Sequence, residues 1–269
     1  MTLKDKLKGL PRVYYFNNNK VLDEHMDRSL SNLDLDYTRI QSKYTSENNP
    51  EWKDLILNRS DYKLPVSVAG FSISVLEFLK DWLEVSDDPE LIIMRDTIDW
   101  EVAQTDLSYT WDFDWQYIKS RLPYDWDCFQ FGFENLHYIP FYLHQIMPAT
   151  TFGPSLLNRR YVKKLVRLHC KGGKYDLNGK IANLNFGLKS GTVDYFIGHN
   201  GKTYCLPLLP NNPKFFPSNT KKFKVVRACK LAYYDWWVNE SKKFSLEEIF
   251  TYGKTNDLGM IRKTMNYYN

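Results

Sequence analysis

Leu91-Ile-Ile-Met-Arg-Asp-Thr-Ile-Asp99 is the most telling segment of the chain. Four consecutive apolar residues after the helix-stopping Asp87-Asp-Pro89 form the pattern of a strand buried on both faces of a parallel sheet. Charge then enters abruptly at Arg95, Asp96 and Asp99. In open α/β sheets ligands collect outside the carboxyl ends of the strands, so these charges are expected to face a site and not the core.

Upstream, Arg12-Val-Tyr-Tyr-Phe16 reads as a buried strand that stops in Asn17-Asn-Asn19. Val21, Leu22, Met26, Leu30 and Leu33 recur at helical spacing, and Tyr37-Thr-Arg-Ile40 returns as a strand, which makes a β-α-β unit. Residues 41–60, polar and interrupted by Pro50, read as an irregular surface connection or a lid. Ser74-Val-Leu-Glu77 fits a capping box, so a helix is expected from Ser74 to about Val85 with Val75, Leu79, Trp82 and Leu83 inward.

Downstream, Trp126 to Phe131 and Ala149 to Phe152 are strand candidates. Asn158 to His169 reads as a helix with Tyr161, Leu165 and Leu168 inward and Arg159, Arg160, Lys163, Lys164 and Arg167 outward, ended by Gly172-Gly173. Thr192 to Ile197 and Thr203 to Leu209 look strand-like, and a final helix carries Trp236 and Trp237. The expected fold is α/β: one domain over residues 1–269, with a Rossmann-like, mixed but mostly parallel sheet flanked by helices.

With 269 residues, 43% of them hydrophobic and 25% charged, the composition is that of a globular protein. A formal charge of +4 is small for this length, so nucleic acid is not the expected partner, although the Arg159 to Arg167 face keeps that reading open. The start lacks the apolar run of a signal peptide and no uncharged stretch is long enough to span a bilayer. A cytoplasmic location follows, with peripheral association as the one membrane contact left open. Cys128, Cys170, Cys205 and Cys229 are scattered without a Cys-x-x-Cys pair, and His137 and His144 are not spaced as a helical metal pair. Gly-rich phosphate loops, nucleophile elbows and zinc signatures are absent.

Several segments, taken in order, resemble one family. They are Leu10 to Asn17, Ser74 to Leu83, Ile92 to Thr97, Tyr109 to Trp115, Pro123 to Gln130, Tyr204 to Leu209 and Trp236-Trp237. Their order is similar to that of glycosyltransferases of family 25 and their family 111 cousins, found in bacterial surface-polysaccharide (lipopolysaccharide) loci and in viruses. The resemblance implies a GT-A fold, a UDP-sugar donor, most commonly UDP-galactose, a carbohydrate acceptor and inversion at the anomeric carbon. The family's Glu-Asp-Asp is Arg95-Asp96-Thr97 here, its Ser-His is Ser74-Val75, and no histidine follows His199.

On this resemblance the nucleotide-binding part covers about residues 1–100, with the donor held by Phe16, Asn17, Asn18, Arg39, Ser74, Arg95 and Asp96. The acceptor part covers about 101–269, with Trp111, Trp115, Asp125, Trp126 and Gln130 as sugar-binding candidates, since flat aromatic faces cover sugar C–H groups while nearby polar groups bond hydroxyls. Stabilising a leaving diphosphate takes fixed positive charge. Two routes supply it: a divalent cation, Mn²⁺ or Mg²⁺, on Asp96 and Asp99, or the cations of Arg95 and the cluster Lys221, Lys222, Lys224, Arg227 and Lys230. An inverting displacement also needs a base at the acceptor hydroxyl, for which Asp194 is preferred and Asp127 comes next. A relative that binds nucleotide-sugar or glycan without turnover is the alternative.

Overall fold

The computed structural model describes residues 2–17, 19–43, 54–57, 66–100, 111–133, 141–145, 153–177 and 192–251. Its strands are β1 (Val13–Asn17), β2 (Tyr37–Gln41), β3 (Glu90–Arg95), β4 (Cys128–Phe133), β5 (His144–Gln145), β6 (Ser155–Asn158), β7 (Cys170–Lys171), β8 (Lys174–Tyr175) and β9 (Thr203–Pro210). The helices are α1 (Leu3–Lys6), α2 (Lys20–Asn32), α3 (Val66–Val85), α4 (Trp115–Arg121), α5 (Arg159–His169), α6 (Val193–His199), α7 (Lys221–Asp235) and α8 (Leu246–Phe250).

One sheet joins seven strands in the order β2-β1-β3-β6-β4-β9-β5, and β7 and β8 form a separate hairpin. Strands β1, β2, β3, β4 and β9 run parallel, with β6 inserted antiparallel between β3 and β4 and β5 antiparallel on β9. The fold is therefore mixed α/β with a mostly parallel sheet, as the apolar run at Leu91 to Met94 implies.

Alternation along β1 divides the core. Val13 and Tyr15 face α2, α4 and α7, with Met26, Leu30, Trp115 and Tyr233 buried beside them. Tyr14 and Phe16 face α3, α5 and α6, packed with Ile73, Leu76, Tyr161 and Phe196. Because β2 lies on one side of β1 and β3 on the other, the connections through α2 and α3 cover opposite faces of the sheet. A crevice must then open between the carboxyl ends of β1 and β3, the switch point of such sheets.

Several local expectations are corrected. Helix α3 begins at Val66, not Ser74. Ser74 is buried mid-helix and its Oγ donates to the Gly70 carbonyl one turn back (3.0 Å), so it is no cap. Thr192 to Ile197 is helical, because Val193, Phe196 and Ile197 are buried at i, i+3 and i+4, the helical spacing. Leu168 is exposed, and Val162 takes the inward place beside Tyr161 and Leu165 as α5 ends at His169. Val21 is likewise exposed in the first turn of α2. Trp126 precedes β4 in a turn, its N–H bonded to the Pro123 carbonyl (3.0 Å). Asn158 does cap α5, accepting from the Tyr161 N–H (2.8 Å), but it also ends β6, a strand whose four residues carry no clear sequence signal. The strand expected at Ala149 to Phe152 lies outside the described residues, as does most of 41–60. Among the described residues no helix is long and apolar enough to cross a membrane.

Strand β4 passes Gly153-Pro154 at backbone contact, with its register shifting between Gln130 and Gly132. A Cβ at Gly132 would lie 1.9 Å from Pro154 Cδ and 2.7 Å from its nitrogen, where nothing flexible can yield. Gly132→Ala is expected to destabilise the fold by about 1–3 kcal/mol, read as a lower urea midpoint, the usual cost of overpacking.

Candidate functional site

Strands β1 and β3 finish together, Phe16 opposite Arg95. Beyond them lies a cleft of about 490 Å³ lined by Phe16, Asn17, Asn19, Ser42, Ser67, Val68, Phe71, Ser72, Arg95, Asp96, Thr192, Val193 and Asp194. Each wall comes from a different element. The end of β1 gives Phe16 and Asn17, and Asn19 caps α2 by accepting from the Val21 N–H (2.9 Å). Ser42 follows β2, the first turns of α3 give Ser67 to Ser72, the end of β3 gives Arg95 and Asp96, and Thr192 to Asp194 start α6.

Among the described residues two buried N–H donors in this lining have no hydrogen-bond partner: Nδ2 of Asn17, a residue 2% exposed, and Nε of Arg95. Asn17 spends its Oδ1 accepting from the Asn19 N–H, which fixes the amide. The Arg95 guanidinium lies over the Phe71 ring, 4.8 Å from its centroid, and Phe71 is packed edge-on to Phe16. Leaving a buried donor unsatisfied costs about 1–3 kcal/mol; core groups such as Gln130 and the Trp100 and Trp115 indoles are unsatisfied too, and Asn17 and Arg95 are the ones that stand at the cleft.

Beside them the Asp96 carboxyl is pushed up to about 6, mainly because burial disfavours its charged form, against the opposing pull of its own backbone N–H and of Arg95. Asp23 pushes in the same direction. That residue accepts from the Tyr15 hydroxyl (2.7 Å) and pairs with Arg39 (2.5 Å) on the α2 side of the sheet.

Phe16, Asn17, Arg95, Asp96 and Asp194 are thus brought to one cleft, while other candidates lie elsewhere. Arg39 is held by Asp23 outside the lining. Ser74 sits behind Ser42, its Oγ 3.0 Å from the Ser42 Oγ, so it ties the loop after β2 to α3 without reaching the cleft. Asn18 lies outside the described residues. Asp99 turns away from the cleft: it is 1% exposed and pairs with Lys230 (2.6 Å). A divalent ion shared by Asp96 and Asp99 does not fit this arrangement, and among the described residues no group of three or more His, Cys, Asp or Glu side chains could hold a metal. Lys221, Lys224 and Arg227 are exposed on α7 and do not line the cleft.

The acceptor candidates are corrected most. Trp111 and Trp115 are 3% and 1% exposed and pack in the core, Trp111 stacked on Phe113 and Trp115 edge-on to Phe131. Gln130 is buried within β4. Asp125, Trp126 and Asp127 stand at the amino end of β4, level with Glu90 at the amino end of β3 through β6. Asp96 lies six residues further along, roughly 20 Å away at about 3.3 Å per residue. The interleaving of Trp and Asp reflects core alternation plus ion pairing, since Asp127 accepts from Arg160 (2.9 Å) and Asp125 pairs with Lys202.

Ser42, Ser67, Phe71, Ser72 and Thr192 line the cleft without having been foreseen. The available signal was in α3: Ser67 and Ser72 are polar breaks in a strongly apolar helix.

No family model matches the chain, and no curated protein matches it. Among solved structures it is similar to A197 from STIV, with 11% identity and a TM-score of 0.39 over 75% of this chain and 84% of that one. It is also similar to HddC from Yersinia pseudotuberculosis, with 11% identity and a TM-score of 0.33 over 78% of this chain and 75% of that one. Likenesses this distant assign neither family nor activity.

The Asp96 carboxyl has a stability consequence. Its pKa is raised from 3.8 in the unfolded chain to about 6, so between these values the native state holds a proton that the unfolded state has released. Its contribution to stability therefore falls as pH rises from about 4 to 6 and stays reduced above. Asp96→Asn is expected to raise the melting temperature at pH 7 and leave it nearly unchanged at pH 4. Equal shifts at both values would contradict a buried, charge-penalised carboxyl.

Proposed function

We propose that the chain is a nucleotide-sugar-dependent glycosyltransferase whose donor diphosphate lies in the cleft between the carboxyl ends of β1 and β3. The observation that supports it most is the pair of unsatisfied buried donors, Asn17 Nδ2 and Arg95 Nε, at the switch point of a mostly parallel sheet. Diphosphate oxygens are acceptors of the kind those donors lack. Asn19 sets the amino end of α2 at the same rim, where the helix dipole favours negative charge.

Transfer breaks the bond between the anomeric carbon and the diphosphate, and charge grows on the departing oxygens. The Arg95 guanidinium, held flat by Phe71, meets that charge with little reorganisation. This is the cationic route, carried by Arg95 and not by the α7 lysines. Asp194, on the wall contributed by the later part of the chain, takes the proton of the attacking hydroxyl in a single inverting displacement. The order of motifs supports a UDP-hexose donor, galactose first, and a glycan acceptor. Since Trp111 to Gln130 lies away from the cleft, acceptor contacts fall to the Thr192 to Asp194 wall and its neighbours.

Incubation with a panel of UDP-sugars, with and without Mn²⁺, is expected to release UDP from at least one donor, with UDP itself raising the melting temperature. Arg95→Ala should lower kcat/KM about 10²–10³-fold, the usual cost of a lost transition-state donor. Asp194→Asn should lower kcat while leaving stabilisation by UDP intact. Stabilisation without turnover would favour a binding relative, for which the replacement of Glu-Asp-Asp by Arg95-Asp96-Thr97 speaks; neither stabilisation nor turnover would remove the proposal.

A further inference from the structure

At the opposite end of the strands, beside the amino ends of β4 and β9, a second and more open groove is walled by α5. It gathers six basic side chains against Asp125 and Asp127, the same excess of four positive charges that the whole chain carries. The remaining formal charges of the chain sum to zero.

Some of these cations serve the fold. Arg159 donates to the Ser86 (2.6 Å) and Leu83 (3.0 Å) carbonyls at the end of α3 and lies over Trp82, while Arg160 and Lys202 neutralise Asp127 and Asp125. The two carboxylates are thereby cancelled within the groove. Lys163, Lys164 and Arg167 remain, projecting from one side of α5 with no ion pair among the described residues.

Apolar residues rim the same edge. Few large hydrophobic side chains in the described structure are exposed, and three of them sit here: Tyr124, 99% exposed and next to Asp125; Val85, 83% exposed beside the α3 end that Arg159 caps; and Leu168, 38% exposed next to Arg167. Two of the three tips are aliphatic and lack the flat face on which bases stack, which favours a bilayer over a single-stranded nucleic acid. Unpaired cations flanked by an aromatic ring and aliphatic tips match an anionic bilayer, where the cations meet headgroup charge and the tips enter the interface.

We propose that this edge, with Lys163, Lys164 and Arg167 at its centre and Tyr124, Val85 and Leu168 at its rim, docks the protein onto anionic lipid surfaces. The attachment is peripheral, and it leaves the β1–β3 cleft, at the carboxyl ends of the strands, open to water. It stands apart from the glycosyltransferase reading, since its residues take no part in that cleft.

The test is co-sedimentation of the full chain with phosphatidylcholine vesicles with and without phosphatidylserine, across a salt series. Binding is expected only with phosphatidylserine and should weaken steeply with salt. The combined change Lys163→Glu, Lys164→Glu and Arg167→Glu should lower vesicle affinity by on the order of 10²-fold, at about five-fold or more for each cation near the surface. These side chains make no ion pair or side-chain hydrogen bond among the described residues, so the melting temperature should hold. Tyr124→Ala should weaken binding further without changing its salt dependence. Equal binding to neutral vesicles, no binding at low salt, full binding by the triple variant, or tight binding to a single-stranded oligonucleotide with none to vesicles would each overturn the proposal. UDP-sugar turnover by the triple variant reads the other site separately.

Discussion

Strand order reverses at β1, with β2 added on one side and β3 on the other, and everything at the cleft follows from that. With β2 on one side and β3 on the other, α2 and α3 are driven to opposite faces, and neither can cover the space past Asn17 and Arg95. The sheet interior is dry enough to bury Leu91 to Met94 completely. At its end the backbone emerges into a gap that no helix fills. At that boundary the Asn17 Nδ2 and Arg95 Nε donors are desolvated without a hydrogen-bond partner among the described residues, and burial makes the Asp96 carboxyl resist ionisation.

That arrangement works against stability. Two orphaned donors and a carboxyl displaced toward neutrality each disfavour the empty folded state, and a binding site can carry such features because its ligand relieves them. The protein treats its other buried charges differently. Asp99 is matched by Lys230 and Asp127 by Arg160 and the Lys202 N–H, so they are satisfied by the fold itself. The contrast separates a site from a scaffold more sharply than residue type does, because all three residues are aspartates near strand ends.

The same contrast explains what was legible in the sequence. The apolar run at Leu91 to Met94 and the alternating Val13 to Phe16 reveal the sheet and the β-α-β unit, because burial on both faces leaves a composition that little else produces. Arg95 and Asp96 are legible as residues of the cleft because charge directly follows that run. Residues brought in by tertiary packing were not. Ser42 and Thr192 reach the cleft from two separate elements, and nothing local marks them. Trp111 and Trp115 misled because indoles serve cores and sugar platforms alike, and only burial distinguishes the two. Asp127 misled because its strand-end position lies at the amino edge, and strand direction is invisible until neighbours are paired.

The most direct measurement is a crystal structure of the chain with UDP bound. The diphosphate is expected between β1 and β3, with its oxygens within about 3 Å of the Arg95 guanidinium and of Asn17 Nδ2, the distance of an N–H···O hydrogen bond. UDP bound at the α5 groove, or anywhere that leaves Arg95 and Asn17 without partners, would contradict it.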